Sequence, residues 1–168
     1  MVKPIRLKTH RVHINAPREL IFQIMSSFGR GRLKGDNSEA SEVLSRDGES
    51  LVVKFRIKTG PIYCDSVEEI TLKKPSRMTF KHLSGPLSYA TEQFLFEEKD
   101  EFEKDLVHDG EFIWKRFSFF GWLGGVIYTK STFERTVVKH MVQIKEASEA
   151  RASRSRVFKR QPTESEAS

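Results

Sequence analysis

The chain divides by the period of its apolar positions. From Ile5 to Ile14 apolar and polar residues alternate imperfectly and end in Arg-Val-His-Ile-Asn, the pattern of a strand. Asn15-Ala16-Pro17 then supplies a helix start, with Asn15 or Ala16 at the cap and Pro17 at the first helical position. Leu20, Ile21, Ile24, Met25 and Phe28 follow at helical spacing, and Gly29-Arg30-Gly31 ends that helix. The stretch to Asn37 is loop-like. Period two then takes over. Strands are expected over Glu39 to Arg46, Leu51 to Lys58, Ile62 to Leu72, Arg77 to Ser84, Leu87 to Glu98 and Glu103 to Lys115. Turn signals separate them at Asp47-Gly48, Gly60-Pro61, Lys74-Pro75-Ser76 and Gly85-Pro86. Such short connections imply an antiparallel meander, not parallel strands joined by crossover helices.

From Val126 to about Ala152 there is no Gly or Pro. Phe133, Val137, Met141 and Ile144, with Ile127, Val138 and Val142 beside them, are expected to form one face of a long amphipathic helix. The apolar face ends at Ala152, so residues 1–152 read as one domain and 153–168 as a basic, then polar, disordered tail. A sheet with one apolar face, curled around that last helix and closed at one end by the first, satisfies the whole order. The fold class is α+β.

Composition narrows the function classes. Charged residues make up 31% of 168, but 13 Phe supply enough apolar bulk for a sizeable core. The longest apolar stretch, Phe117 to Tyr128, is too short and glycine-broken to span a membrane. No apolar signal core follows the basic N-terminus, and a single cysteine, Cys64, excludes an internal disulfide or a multi-cysteine zinc site. A cytoplasmic location is therefore expected. The net charge of +6 is spread over several segments, without an RNA-binding, zinc-finger or helix-turn-helix signature, so no nucleic-acid partner is expected.

Particular residues add a family likeness. His13-Ile14-Asn15-Ala16-Pro17 with Leu20-Ile21-Phe22, then Pro75-Ser76-Arg77-Met78-Thr79-Phe80, Ser84-Gly85-Pro86 and Phe94-Leu95-Phe96, and finally the long closing helix, resemble the START-like (SRPBCC) superfamily. The likeness is to its polyketide cyclase/dehydrase and ubiquinone-binding-protein branch and runs from about residue 8 to 150. It implies a helix-grip fold, with six to seven strands wrapped on the C-terminal helix, and an apolar pocket. Two departures stand out: no tryptophan-containing second helix follows Gly29, and Glu92 stands where relatives commonly have glycine. The superfamily has no universal catalytic residues, so chemistry must come from the side chains themselves.

Strand alternation places those side chains. If Phe94 and Phe96 face inward, so do Glu92 and Ala90; Met78 and Phe80 bring His82; Phe112 and Trp114 bring Gly110 and His108. Pairing Phe94 with Leu106 sets Glu92 opposite His108, a carboxylate against an imidazole fit to orient a ligand or move a proton. The candidate acid–base pair is thus Glu92 and His108. Candidate ligand contacts are His82, Phe80, Ala90, Phe94, Gly110, Phe112, Trp114, Phe120, Trp122, Phe133, Val137 and Met141. The His and Glu spacing matches no metal motif, and neither metal nor cofactor is expected. Cys64 reads as a small buried residue and Tyr89 as outward-facing. The Phe117–Gly125 segment reads as pocket wall or core plug, with peripheral membrane contact as the other reading, helped by Arg30, Arg32 and Lys34. The expected function is binding of an apolar or aromatic, lipid- or polyketide-like small molecule. The alternatives are a cyclase or dehydratase using the same pocket and a co-chaperone-like interaction module.

Overall fold

The computed structural model describes residues 4–29, 40–59, 62–85, 87, 89–100, 103–113 and 119–160; of residues 57–59, 62, 119–122, 124–125 and 156–160 it describes the backbone alone. Among the described residues, eight strands and two helices follow in the order β1 (Ile5–Arg6), β2 (His10–Ile14), α1 (Arg18–Met25), β3 (Ala40–Asp47), β4 (Ser50–Thr59), β5 (Ile62–Lys73), β6 (Arg77–Ser84), β7 (Thr91–Glu98), β8 (Lys104–Phe112) and α2 (Phe119–Arg160). Strands β3 to β8 form an antiparallel meander, and β1 and β2 both pair with β8. With α1 and α2 on one side of the sheet, this is the expected α+β helix-grip arrangement.

Several boundaries differ from expectation, each for a local reason. The first strand is broken in two between Arg6 and His10, where Leu7 turns inward and its N–H donates to the Gly110 carbonyl at 2.9 Å. Pro17 caps α1 instead of opening it, because its ψ of 138° is extended. Strand β7 starts at Thr91, not Leu87, because Tyr89 takes a left-handed φ of 78° that no strand accommodates. Strand β8 ends at Phe112, short of the expected Lys115. The Asp47-Gly48 signal does close the β3–β4 hairpin, with Gly48 at φ 56°. Gly85 is required twice over: its φ is 110°, and a Cβ there would stand 2.8 Å from the Asp65 carbonyl oxygen. That close approach lies beside the irregularity in β5 that pairs Val67 with Ser84 but Glu68 with His82.

Among the described side chains of α2, Val137, Met141, Ile144, Ser148 and Ala152 form one buried line, continued by half-buried Phe133. Spacings of three and four keep these residues on one narrow face. Ile127, Val138 and Val142, expected to share it, are exposed instead, Ile127 by 62%. Val138 and Val142 sit one residue off the line, about 100° around the helix. The helix also continues past Ala152 to Arg160, into the segment expected to be a disordered tail; residues 161–168 lie outside the described ones.

The core is graded along the strands. Leu51, Ile70, Leu72, Met78, Phe96 and Leu106 pack with Ile14, Ile21, Phe22, Met141 and Ile144 into a dry end closed by α1. A second, small cluster joins Leu7, Ala90 and Phe112, and half-buried Phe133 packs against both. On the outer face, Asp105 is buried beneath Arg11 at 2.7 Å, Lys99 at 3.0 Å and His13 at 3.1 Å. Burial alone raises its pKa, but the hydrogen bonds from Arg11, Lys99 and His13 outweigh that and hold it at about 2.

Candidate functional site

Between the dry end and the small cluster, one row of ionisable side chains crosses the inner face of the sheet. Each member inherits its direction from apolar neighbours two residues away on its own strand. Glu68 follows Ile70 on β5, His82 follows Phe80 on β6, Glu92 follows Phe94 on β7, and His108 follows Leu106 on β8. His82 Nε2 lies 2.6 Å from Glu92 Oε1, and His108 Nε2 lies 2.8 Å from Glu92 Oε2. Each carboxylate oxygen therefore accepts from a different imidazole. Glu68 Oε1 accepts from the Ser66 hydroxyl at 2.8 Å. It also lies 3.4 Å from His82 Nδ1, within ion-pair range but without hydrogen-bond alignment.

All four ionisable groups are buried: His108 is 1% exposed and Glu92 8%. Burial pushes the Glu92 carboxyl up, yet the hydrogen bonds from His108 and His82 outweigh it and hold the group below the usual carboxylate range. Burial pushes His82 down, but the bond to Glu92 and the charge of Glu68 more than reverse this. Glu68 is raised, chiefly by burial, against the opposing charge of His82. The two shifts both favour the charged forms, carboxylate at Glu92 and imidazolium at His82.

The sequence parity was right and the register was not. Phe94 pairs with His108 and Phe96 with Leu106, so Glu92 stands opposite Gly110, two residues from the expected partner. Glu92 reaches His108 diagonally, as side chains of this length can. Gly110 makes room for it: a Cβ there would lie 3.2 Å from Glu92 Cγ and 3.0 Å from Leu7 Cδ1. His82 likewise meets Glu92 diagonally, since Phe80 is the direct partner.

Around the row, Phe80 and Phe94 pack edge to face with centroids 5.6 Å apart, and the Phe94 ring lies 4.8 Å from that of His108. Phe133 on α2 covers His82 at 6.3 Å. Val137 and Met141 lie deeper, in the dry end, while Ala90 and Phe112 belong to the small cluster behind Leu7. Trp114 lies outside the described residues, and Phe120 and Trp122 fall in the first turns of α2 with their side chains undescribed. Cys64, expected to be buried, is half-buried; Tyr63, Tyr89 and Tyr128 are all exposed.

Two members of the neighbourhood escaped the sequence reading. Glu68 shares parity with Ile70 and Leu72, which turns it inward. His10 shares parity with Val12 and Ile14 and is the direct register partner of His108. Among the described residues no group of His, Cys, Asp and Glu is arranged to hold a metal ion, and no helix is long and apolar enough to cross a membrane.

No family model and no curated protein matches the chain. Solved structures do. The Zhui aromatase/cyclase from Streptomyces sp. R1128 is 16% identical, with a TM-score of 0.70 over 90% of this chain and 95% of its own. A protein from Thermus thermophilus is also 16% identical, with a TM-score of 0.71 over 88% and 99%. A START superfamily protein from Mycobacterium smegmatis is 11% identical, with a TM-score of 0.63 over 89% and 99%. The antiparallel meander and the long closing helix thus give this chain the helix-grip fold of these structures.

Proposed function

We propose that the protein binds an apolar or aromatic small molecule, lipid- or polyketide-like, between the inner sheet face and α2, with the Glu92-centred row fixing its orientation. The observation that carries this reading is the row itself: a carboxylate held by two imidazoles among Phe80, Phe94 and Phe133. A buried ion pair commonly adds nothing to stability over apolar residues of similar volume. Keeping four ionisable groups there suits a pocket that is mostly apolar and needs a few polar groups to set a ligand's pose. Burial of ligand carbon would drive binding, at roughly 25 cal/mol per Å² before ordering costs. Leu123, Ile127 and Tyr128, exposed on the N-terminal part of α2, suit an entrance and a peripheral membrane contact at the same rim.

Native mass spectrometry of protein purified from its own host tests this directly. A stoichiometric apolar ligand, released and identified on denaturation, is the expected result. A clean unliganded mass, unshifted by a panel of lipids and polyphenols, overturns the reading and favours a surface-interaction module of the co-chaperone kind.

One observation favours a second reading, a cyclase or dehydratase. Glu92 with an imidazole on each oxygen is a ready proton carrier, and folding a flexible chain into a reactive pose would supply most of the catalysis. Glu92→Gln separates the two: a binder keeps its ligand, whereas an acid–base enzyme keeps the ligand and loses turnover.

A further inference from the structure

The row leaves two polar atoms unsatisfied at its β8 end. His108 Nδ1 and His10 Nε2 are both buried, and neither has a hydrogen-bond partner among the described residues. Their residues are direct register partners on β8 and β2, which places their Cβ atoms about 5 Å apart. Buried ring nitrogens without partners are rare in native proteins, and two on adjacent strands mark a place where a hydrogen-bonding group belongs.

The chemistry of that group follows from the row. Glu92, ionised, only accepts, so the Nε2 atoms of both His82 and His108 donate to it. With Nε2 of His108 engaged by Glu92, its Nδ1 is the ring atom left for another group. A group set between two unpartnered ring nitrogens, each able to donate or accept, serves both only if it can itself donate and accept. A ketone, an ether or a carboxylate only accepts, whereas a hydroxyl does both. Near His10, Glu134 Oε1 on α2 accepts from the Lys8 N–H at 2.8 Å.

Resting on the binding function proposed above, we infer that His10 and His108 form a hydroxyl-recognition site, which takes the alcohol or phenol oxygen of the apolar ligand and holds a water in its absence. His10 thereby becomes a specificity-determining residue, on a strand far from the rest of the row in sequence.

The test uses 2-naphthol and 2-methoxynaphthalene, the hydroxyl probe and its methyl ether. The expected result is at least tenfold tighter binding of 2-naphthol to the wild type by calorimetry. His10→Phe, which fills the oxygen's place, should reduce that ratio to below threefold. Should His10→Phe fail to fold, the ¹⁵N resonance of His108 Nδ1 in the wild type gives the same answer, shifting on addition of 2-naphthol and not of the ether. Water as the resident group is recognised by an Nδ1 shift already displaced in the free protein. Equal affinity for both probes overturns the hydroxyl site and leaves the pocket standing. Binding of neither overturns the pocket, and this inference with it.

Discussion

Replacing Gly110 with alanine puts one methyl group into the tightest place beside the row. The new Cβ would stand 3.0 Å from Leu7 Cδ1, 3.2 Å from Glu92 Cγ and 3.2 Å from the Thr91 carbonyl oxygen. None of these neighbours yields easily. Thr91 O is backbone of the paired strand, Leu7 is buried in the small cluster, and Glu92 is fixed at both oxygens. Inserting a methyl into a packed interior costs about 1–3 kcal/mol. Removing a strand glycine returns about 0.5–1 kcal/mol through the unfolded chain. The net expectation is a loss of about 1–2 kcal/mol, or a Tm lowered by roughly 2–8 °C for a domain of this size. Because Glu92 must move, the imidazole resonances of His82 and His108 should shift together, which a purely local clash would not produce. Urea unfolding with side-chain ¹⁵N spectra reads both effects. An alanine variant as stable as the wild type, with unmoved imidazole signals, would refute the claim that Gly110 makes room for Glu92.

Three further expectations follow from other parts of the fold. Asp105 has a folded pKa of about 2 against an ordinary 3.8, so its stabilisation is fully present above about pH 4 and is lost as pH falls towards 2. The full shift corresponds to about 2.4 kcal/mol, which screening at half-exposed Arg11 and Lys99 reduces to about 1 kcal/mol; Asp105→Asn should lose this at pH 7 and converge on the wild type near pH 2 in chemical denaturation. Met141→Ala, at a fully buried position in the dry end, should cost about 2–5 kcal/mol through the cavity it leaves, measured by urea unfolding. Val142→Lys, on the exposed side of the same helix, should stay within about 0.5 kcal/mol of the wild type; a loss above about 2 kcal/mol would mean that this face is covered in solution.

Strand alternation and turn chemistry made most of the architecture legible. The clear alternation of Leu51, Val53 and Phe55 against Lys54 and Arg56 appears directly as β4, and Asp47-Gly48 as its turn. Parity likewise turned His82, Glu92 and His108 inward, because bulky neighbours on each strand determine the face. Register was not legible. It depends on how Asp100 and Glu103 close the β7–β8 turn and on the irregularity at Val67, and neither leaves a mark in the apolar period. The width of the buried line on α2 was overestimated because seven apolar residues are compatible with a broad face, whereas the sheet covers a narrow one. His10 was missed because its contact is made by a strand from the other end of the chain, which no local pattern encodes.

That last pairing has a consequence for how the molecule comes into being. Strands β3 to β8 are joined by short hairpins and can zip in sequence, since each new pairing closes only a small loop. The β2–β8 pairing is different in kind: it brings the beginning of the chain back across the whole sheet, and α2 packs against both β2 and α1 once it has formed. A chain that has formed its hairpins but not this closure holds Glu92 and His108 with one flank open to water, where neither the low dielectric nor the second ring nitrogen exists. The recognition site proposed above would therefore be complete only once this closure has formed.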